Sequence, residues 1–300
     1  MKPPLNTAEL FTPGRLGPYS LPHRVLMAPM TRNRARRDGV PSRSAVIYYA
    51  QRASLALEEI PTIVEQFRVA AHNALLAGFD GVEIHGANGY LLDQFLRDGS
   101  NQRTDAYGGS VVNRIRLLIQ VTEAVADVWG ADRVGIRISP LNAFNTMFDS
   151  NPGKTFGTLV TELAGFNLAY LHVVEEDGTP ESGPRFDIGG LRNLWNGTYI
   201  VNGNYDYGRA MKVIAEGRAD FVSFGKLFLA NPDLPLRFAR SAPLNIPDRG
   251  SFYGGDDRGY IDYPFLEEPL PALRRLVVEA GGRAEHLAFN GDRSTSSSRC

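Results

Sequence analysis

The stretch FDGVEIH, residues 79–85, is followed by an amphipathic run over residues 112–130 and then by RVGIRIS, residues 133–139. Both short stretches are apolar with little polar alternation, which is typical of strands buried on both faces. The run between them has apolar residues at helical spacing and ends at Gly130, and glycine commonly follows a helix. A buried strand, a helix and a second buried strand predict a parallel β-α-β unit.

The same alternation continues along the chain. Two further helices are predicted over residues 155–166 and 206–217. The predicted strands, six in all, cover residues 24–30, 79–85, 133–139, 168–174, 198–203 and 219–225. This pattern predicts an α/β fold in which helices cover the outer side of a parallel sheet.

Composition excludes several classes of protein. The 300 residues carry a formal net charge of −1, which gives no overall electrostatic attraction to nucleic acid or membranes. Cys300 is the only cysteine, so neither an internal disulfide nor a cysteine metal cluster is possible, and no metal is expected. No apolar run approaches the roughly 18 residues of a spanning helix, and the start of the sequence lacks a secretory pattern. A cytoplasmic protein is expected.

Polar residues gather where the predicted strand 79–85 ends. His85, Asn88 and Tyr90 occur within six residues, and Arg137 lies near the end of the next predicted strand. In α/β sheets and barrels the carboxyl ends of parallel strands form the active-site face, which favours a site here. Singly, each residue also has a structural interpretation. A lone histidine is more often a hydrogen-bonded structural residue, Tyr90 could belong to the core or rim, and Arg137 could pair with Glu83.

The late strands end in glycine-rich turns that could bind phosphate. VNGN, residues 201–204, and SFGK, residues 223–226, place glycine backbone N–H groups and the Lys226 ammonium at neighbouring strand ends. Neither a G-x-G-x-x-G turn after the first strand nor a Walker A sequence is present. By itself this signal is weak, because Gly–Lys after a strand is often only a turn.

Six longer stretches resemble the old yellow enzyme family of FMN-dependent ene-reductases, in that family's order. They are LPHRVLMAPMTRNRA (21–35), GFDGVEIHGANGYLLDQFLRDGSNQRTDAYGGS (78–110), GIRISP (135–140), LAYLHVVE (168–175), FGKLFLANPDLPLRF (224–238) and PDRGSFYGGDDRGYIDYPF (247–265). The resemblance covers residues 8–55 and 57–266. It implies a (β/α)₈ TIM barrel with FMN at the carboxyl ends of the strands. A single FMN-binding barrel-type domain is therefore expected over residues 1–266, followed by a tail, 267–300, that is helical and then disordered.

The resemblance also implies a reaction and residues that perform it. The reaction is reduction of the activated C=C bond of an α,β-unsaturated carbonyl compound, with NADPH or NADH as the reductant. His85 and Asn88 match the donors that hold the carbonyl oxygen of this small-molecule substrate. Tyr90 matches the tyrosine that protonates the carbon alpha to that carbonyl, and Tyr253 matches an aromatic residue at the substrate mouth.

Cofactor contacts carry over from the family in the same way. Residues Pro29, Met30 and Thr31 match the loop under the flavin ring, and Arg137 matches the cation near flavin N1 and the C2 oxygen. The residues that match the phosphate site are Gly203, Asn204, Gly225 and Lys226. Lys226 stands where the family has an arginine, which keeps the charge but loses the two-pronged hydrogen bonding of a guanidinium.

The chain departs from the family in length. A complete barrel needs eight strands, and only six are predicted. Near residues 54–57 the sequence passes directly into LALEEIPTIVEQFRVAAHNALLAGF, residues 55–79, which matches the helix before the family's fourth strand. Strands two and three are expected to be missing, along with a glutamine contact to the flavin. The alternative to an active ene-reductase is therefore a truncated, catalytically impaired relative with weak or no flavin binding. An unrelated barrel enzyme such as a lyase is a more distant alternative.

Overall fold

The computed structural model describes residues 9–27, 57–175, 184–253 and 257–267. An antiparallel hairpin is followed by a six-stranded parallel sheet with helices along its outer side. The strands are β1 (Gly14–Leu16), β2 (Tyr19–Leu21), β3 (Val25–Met27), β4 (Val82–Gly86), β5 (Val134–Ile138), β6 (Tyr170–Val174), β7 (Thr198–Asn202) and β8 (Phe221–Phe224). The helices are α1 (Ile60–Leu76), α2 (Leu91–Leu96), α3 (Val111–Trp129), α4 (Pro152–Ala164), α5 (Tyr207–Ala215), α6 (Lys226–Ala230) and α7 (Leu234–Ala239).

All six predicted strands are present and pair in parallel. Their order across the sheet is β3-β8-β7-β6-β5-β4, so the first strand of the sheet pairs with the last, as in a (β/α) barrel. From β4 to β8 each strand lies beside the next one along the chain. The predicted α/β fold of an incomplete barrel is confirmed.

One side of this barrel is open within the described ranges. β3 and β4 form the two ends of the sheet, and neither pairs with the other. Residues 28–56, which connect β3 to the 3₁₀ turn before α1, lie outside the described residues. They include the last three positions of the predicted strand 24–30. The open side coincides with the position at which the family's strands two and three were expected to be missing.

Helix starts follow capping residues rather than the hydrophobic pattern alone. α4 begins at Pro152, three residues before the predicted start, because the Asn151 side chain accepts the Lys154 backbone N–H at 3.1 Å. α3 begins after Ser110, whose side chain accepts the Asn113 N–H at 3.3 Å. The long run over residues 55–79 forms a shorter helix, α1, with a proline in its first turn.

The core lies between the outer face of the sheet and the helices. Ile136 and Leu171 on the strands and Leu117, Leu118 and Val121 on α3 are fully buried and belong to one apolar cluster. Fully burying such a side chain contributes about 1.5–3 kcal/mol. Because successive strand residues point to opposite faces, the residues between these apolar ones point into the barrel.

The N-terminal hairpin packs at the amino ends of the strands. Tyr19 donates a hydrogen bond to the Asp80 carbonyl before β4, and Thr198, which begins β7, donates one to the Arg15 carbonyl. A Cβ atom at Gly14 would come within 2.5 Å of the Phe221 ring, so this close approach requires glycine. The hairpin leaves the carboxyl ends of the strands available for a site.

Two further expectations concern the whole chain. Within the described ranges, no helix is both long enough and apolar enough to cross a membrane. The proposed domain boundary at residue 266 stays a prediction, since residues 268–300 lie outside the part that the structure describes.

Candidate active site

Polar side chains occupy the inner face of the sheet near its carboxyl edge. His85 on β4 is in register with Arg137 on β5, and Arg137 is in register with His172 on β6. Asn202 ends β7, and Ser223 lies on the neighbouring strand β8. These residues alternate with the outward apolar ones, so the period of two places them together inside the barrel.

His172 is the centre of a buried hydrogen-bonded network. Its Nδ1 lies 2.8 Å from Glu83 Oε2, and its Nε2 lies 2.7 Å from Ser223 Oγ and 2.6 Å from an Nη atom of Arg137. A guanidinium can only donate, so Nε2 accepts and the imidazole proton resides on Nδ1, where it donates to Glu83. His172 thereby links the Glu83 carboxylate to the Arg137 cation.

The charges of this network are balanced within it. Burial lowers the pKa of His172 and outweighs the opposing effect of the Glu83 carboxylate, so the imidazole is neutral at neutral pH. Burial raises the pKa of Glu83, but the hydrogen bond from His172 and the positive charge of Arg137 outweigh it, and the net pKa lies below its ordinary value. Burial and the nearby Glu83 raise the pKa of Tyr170, which keeps its phenol protonated.

Arg137 is held in one orientation by the same network. One Nη atom contacts His172, and the other donates to Asn202 Oδ1 at 3.0 Å. The Asn202 amide in turn donates to the Ser223 carbonyl at 2.8 Å. Only 4% of Arg137 is exposed, so its cation acts at low dielectric at the centre of the strand ends.

A tight turn follows β4 and brings His85 close to Tyr90. Asn88 and Gly89 both adopt left-handed backbone conformations, with φ of +57° and +70°. A Cβ atom at Gly89 would lie 2.7 Å from the Asn145 Cβ atom, so glycine is required by both conformation and space. The His85 and Tyr90 rings lie 5.3 Å apart between centroids, inclined at 53°.

The side chains of His85 and Asn88 are available to a ligand. Among the described residues, no hydrogen bond to the His85 imidazole or the Asn88 carboxamide is formed, although the Asn88 backbone is fully engaged. Burial lowers the pKa of His85, and the positive charge of Arg137 lowers it further. A neutral imidazole donates one N–H without carrying a charge into the site.

The glycine-rich turns follow two adjacent strands. Gly203 and Asn204 follow β7, Gly225 follows β8, and Lys226 is the first residue of α6. Gly203 has a φ of +116°, and a Cβ atom there would lie 2.7 Å from the Glu175 carbonyl oxygen. Because β7 pairs with β8, the fold brings both turns to the same part of the carboxyl edge.

The remaining predicted site residues are less constrained. Tyr253 is 67% exposed and packs edge-on against Phe252, with ring centroids 6.4 Å apart. No ring contact within the described ranges joins it to His85 or Tyr90, so its role stays a prediction. The three residues expected under the flavin, Pro29, Met30 and Thr31, lie outside the described residues.

Sequence reasoning missed most of the buried network. His172, Asn202 and Ser223 were not among the predicted site residues, and Glu83 was considered only as a direct partner of Arg137. In the structure His172 lies between Glu83 and Arg137 and hydrogen-bonds to both. The alternation along LAYLHVVE placed His172 on the inner face and could have indicated its position.

Comparison with known proteins identifies the family. The model of the NADH:flavin oxidoreductase / NADH oxidase family matches residues 9–57 and 54–245. The chain belongs to this family. Its two matched segments meet at residues 54–57, which is where the sequence indicated an internal gap.

Proteins similar to this member of the NADH:flavin oxidoreductase family include plant reductases. The putative 12-oxophytodienoate reductase 3 of Oryza sativa is 51% identical over 235 residues, which cover 77% of this chain and 62% of that protein. The 12-oxophytodienoate reductase 1 of the same plant is 50% identical over 235 residues, covering 76% and 61%. The chain thus spans less than two thirds of the length of these curated relatives.

Solved structures confirm the fold and the old yellow enzyme resemblance. Morphinone reductase is 34% identical, with a TM-score of 0.76, over 87% of this chain and 98% of that chain. The old yellow enzyme from Trypanosoma cruzi is 30% identical, with a TM-score of 0.78, over 87% and 100%.

Proposed function

We propose that this chain is an FMN-dependent oxidoreductase that reduces the activated C=C bond of α,β-unsaturated carbonyl compounds with NADPH or NADH. The observation that carries the proposal is the turn after β4. It holds the His85 and Tyr90 rings 5.3 Å apart, and Asn88 lies between them in the sequence. His85 is also in register with the buried cation Arg137. Membership of a flavin oxidoreductase family supports the same conclusion.

The donors at the strand ends fit two parts of FMN. The backbone N–H groups of Gly203 and Gly225 and the Lys226 ammonium suit a phosphate group. Arg137 is buried and held by hydrogen bonds, which suits a cation beside the electron-rich pyrimidine edge of a flavin. When bound, FMN supplies the hydride chemistry that no amino-acid side chain provides.

The side chains of the turn supply polarisation and a proton. His85 and Asn88 donate hydrogen bonds to the carbonyl oxygen of the substrate, which draws electron density from the alkene and makes its beta carbon electrophilic. The lowered pKa of His85 favours a neutral imidazole. A neutral donor is less strongly hydrated than an imidazolium, so it is more readily available to the substrate oxygen. Tyr90 gives its phenolic proton to the carbon alpha to the carbonyl.

The open side of the barrel favours a second candidate function. The ends of β3 and β4 are not joined by strands in the described ranges, so one wall of the site is absent there. A chain with this gap would retain the side chains of the site while binding FMN weakly or not at all. This is the catalytically impaired relative.

Purified protein distinguishes the two candidates. We expect the chain to retain FMN through gel filtration and to oxidise NADPH or NADH in the presence of a simple enone. A colourless protein that added FMN does not reconstitute would support the impaired relative and contradict the proposed activity. Assays with each nucleotide separately would identify the reductant.

The single cysteine fits a reducing compartment, which supports a proposed cytoplasmic location.

The phosphate assignment has its own test. Lys226→Glu reverses the charge beside the proposed phosphate, so we expect the affinity for FMN to fall to the point where gel filtration removes the cofactor. Lys212→Glu on α5 is the control, because it reverses a largely exposed charge that pairs with Glu216. Equal FMN affinity in both variants, measured by fluorescence titration, would contradict the assignment.

A further inference from the structure

A second buried cluster lies directly behind the turn that carries Asn88 and Gly89. It consists of Asp93, which lies within α2, Arg97, which directly follows α2, and Ser139, the residue after β5. All three are fully buried. We name these three residues the turn clamp.

The turn clamp accepts hydrogen bonds from two backbone N–H groups of the turn. Asp93 Oδ2 accepts the Gly89 N–H at 2.8 Å, and Ser139 Oγ accepts the Asn88 N–H at 2.7 Å. Both turn residues have left-handed backbones, a conformation that costs free energy for Asn88 and that the surroundings must impose. These two hydrogen bonds fix the turn at its strained residues.

The members of the turn clamp also fix one another. Arg97 Nε donates to Asp93 Oδ1 at 2.8 Å, and its Nη2 donates to Asp93 Oδ2 at 3.2 Å and to the Ser139 carbonyl. The Arg97 guanidinium lies over the Phe156 ring, 5.4 Å from its centroid. The ion pair therefore joins α2, the end of β5 and the turn into one unit.

Stability alone is a poor reason for such an arrangement. Two charges buried without water are expensive to desolvate, and well-packed apolar residues often replace such a pair without loss of stability. Within the described ranges the Arg97 Nη1 atom is buried and has no hydrogen-bond partner, which adds to this cost. What the pair achieves that apolar residues could not is a set of directed contacts to two particular N–H groups.

We propose that Asp93, Arg97 and Ser139 are positioning residues that set Asn88 and Tyr90 relative to His85. They touch no substrate and act only through the turn. The catalytic consequence rests on the proposed function, but the position of the turn is a property of the chain itself. It can therefore be measured separately.

The mildest test removes the Ser139 hydroxyl. Ser139→Ala keeps the ion pair and leaves the Asn88 N–H without its acceptor. Thr122→Val is the matched control, because it also removes a fully buried hydroxyl, one that donates to the Leu118 carbonyl within α3. We expect faster amide hydrogen exchange at Asn88 and Gly89 in Ser139→Ala only.

A stronger test uses two similar ion pairs. Asp93→Asn removes the negative charge and replaces one carboxylate oxygen with an NH₂ group. The Asp93 oxygens accept the Gly89 N–H and two N–H groups of Arg97, so in the variant at least one of these three donors faces another donor. Asp233→Asn alters another buried Asp–Arg pair at the same helical spacing, Asp233–Arg237 at 2.6 Å. This second pair contacts neither the turn nor His85, so it reports what loss of a buried ion pair does by itself.

Comparing the clamp variants with their controls distinguishes a positioning role from a merely structural one. If the clamp positions the turn, Asp93→Asn and Ser139→Ala raise exchange at Asn88 and Gly89. In the FMN-loaded enzyme they lower the rate of enone reduction about 100-fold, as a misplacement of about 1 Å can. FMN affinity stays unchanged. If exchange at the turn and enone reduction change as much in the Thr122→Val and Asp233→Asn controls, the clamp is merely structural and the proposal is overturned.

The exchange measurement decides the inference even if the proposed activity fails. Hydrogen exchange requires neither FMN nor substrate. A parent protein that does not reduce enones would contradict the proposed function. In that protein, unchanged exchange at Asn88 and Gly89 in both clamp variants would overturn the positioning role, and a selective rise would support it.

Discussion

At the scale of single residues, Tyr90 provides the sharpest test of the proposed chemistry. Tyr90→Phe removes the proton donor and keeps the ring beside His85. The reductive half-reaction with NADPH or NADH does not use the phenol, so we expect its rate to be unchanged. The half-reaction with a simple enone should slow by roughly 100-fold or more, the usual weight of a positioned general acid. Stopped-flow absorbance separates the two half-reactions.

The control for Tyr90 is a phenol outside the site. Tyr107→Phe removes a hydroxyl that donates to Gln120, on α3. We expect it to leave both half-reactions unchanged. Equal losses in both half-reactions of Tyr90→Phe would indicate a structural tyrosine and reject the proton-donor role.

His172 gives the folded protein a characteristic pH dependence. Its pKa in the folded protein lies below its ordinary value of 6.5 because burial disfavours the imidazolium. As the pH falls below about 6.5, the unfolded chain therefore binds a proton that the folded protein does not, and the free energy of unfolding decreases. Each unit by which the folded pKa is depressed corresponds to about 1.4 kcal/mol. Glu83 adds a loss at lower pH, below its ordinary value of 4.5, because its folded pKa is also depressed.

Urea unfolding at several pH values measures this contribution. His172→Gln should flatten the decrease in stability between about pH 6.5 and pH 4.5. His85 also has a depressed pKa and should keep part of the slope. His72→Gln on α1 is the control, since this histidine is exposed and lies outside the network. A slope that is the same in both variants would show that His172 does not titrate differently on unfolding.

At the scale of elements, two glycine substitutions separate the two reasons why the turn after β4 requires glycine: its backbone conformation and the lack of space for a side chain. Gly89 and Gly109 both have left-handed φ values, +70° and +73°. A Cβ atom at Gly109 would meet nothing within 4 Å, whereas one at Gly89 would lie within 3 Å of Asn145, Phe144 and Met147. Gly109→Ala should therefore cost about 1–2 kcal/mol, and Gly89→Ala should cost more. Equal destabilisation in urea unfolding would show that the loop around Asn145 moves aside freely.

The elements also show what the sequence could predict. Buried strands such as RVGIRIS were recognised because two apolar faces leave a continuous hydrophobic run, and β5 spans all but the first and last residues of that prediction. The start of α4 was placed three residues late because the Asn151–Pro152 cap carries no hydrophobic signal. Helix boundaries therefore depended on single capping residues.

The candidate site also consists of a part that the sequence could predict and a part that it could not. His85, Asn88 and Tyr90 are close in sequence, so one motif contained them. The contacts of His172 with Glu83 and Ser223 join residues 89 and 51 positions apart. Such contacts depend on the register between strands and on the curvature of the sheet, and neither is encoded in any one segment.

At the scale of the whole molecule, the open side between β3 and β4 decides between the two candidate functions. The described sheet has six strands, and the matched family segments meet at residues 54–57. Within the described ranges both edges of the sheet are unpaired, and such edges expose backbone N–H and C=O groups that a closed barrel would pair. A missing wall would also let water reach the site, which weakens every electrostatic contact to a bound cofactor.

Restoring the wall is the corresponding experiment. We expect a chimera that carries the matching segment of rice 12-oxophytodienoate reductase 1, inserted at residues 54–57, to bind FMN more tightly than the parent chain. The inserted strands would pair with β3 and β4 and exclude water from Arg137, so its charge would act on the cofactor at lower dielectric. An insertion of equal length made of glycine and serine is the control, because such a linker forms no strands. FMN dissociation constants from fluorescence titration provide the comparison. If the chimera and the linker variant bind FMN no better than the parent chain, the open side does not limit cofactor binding.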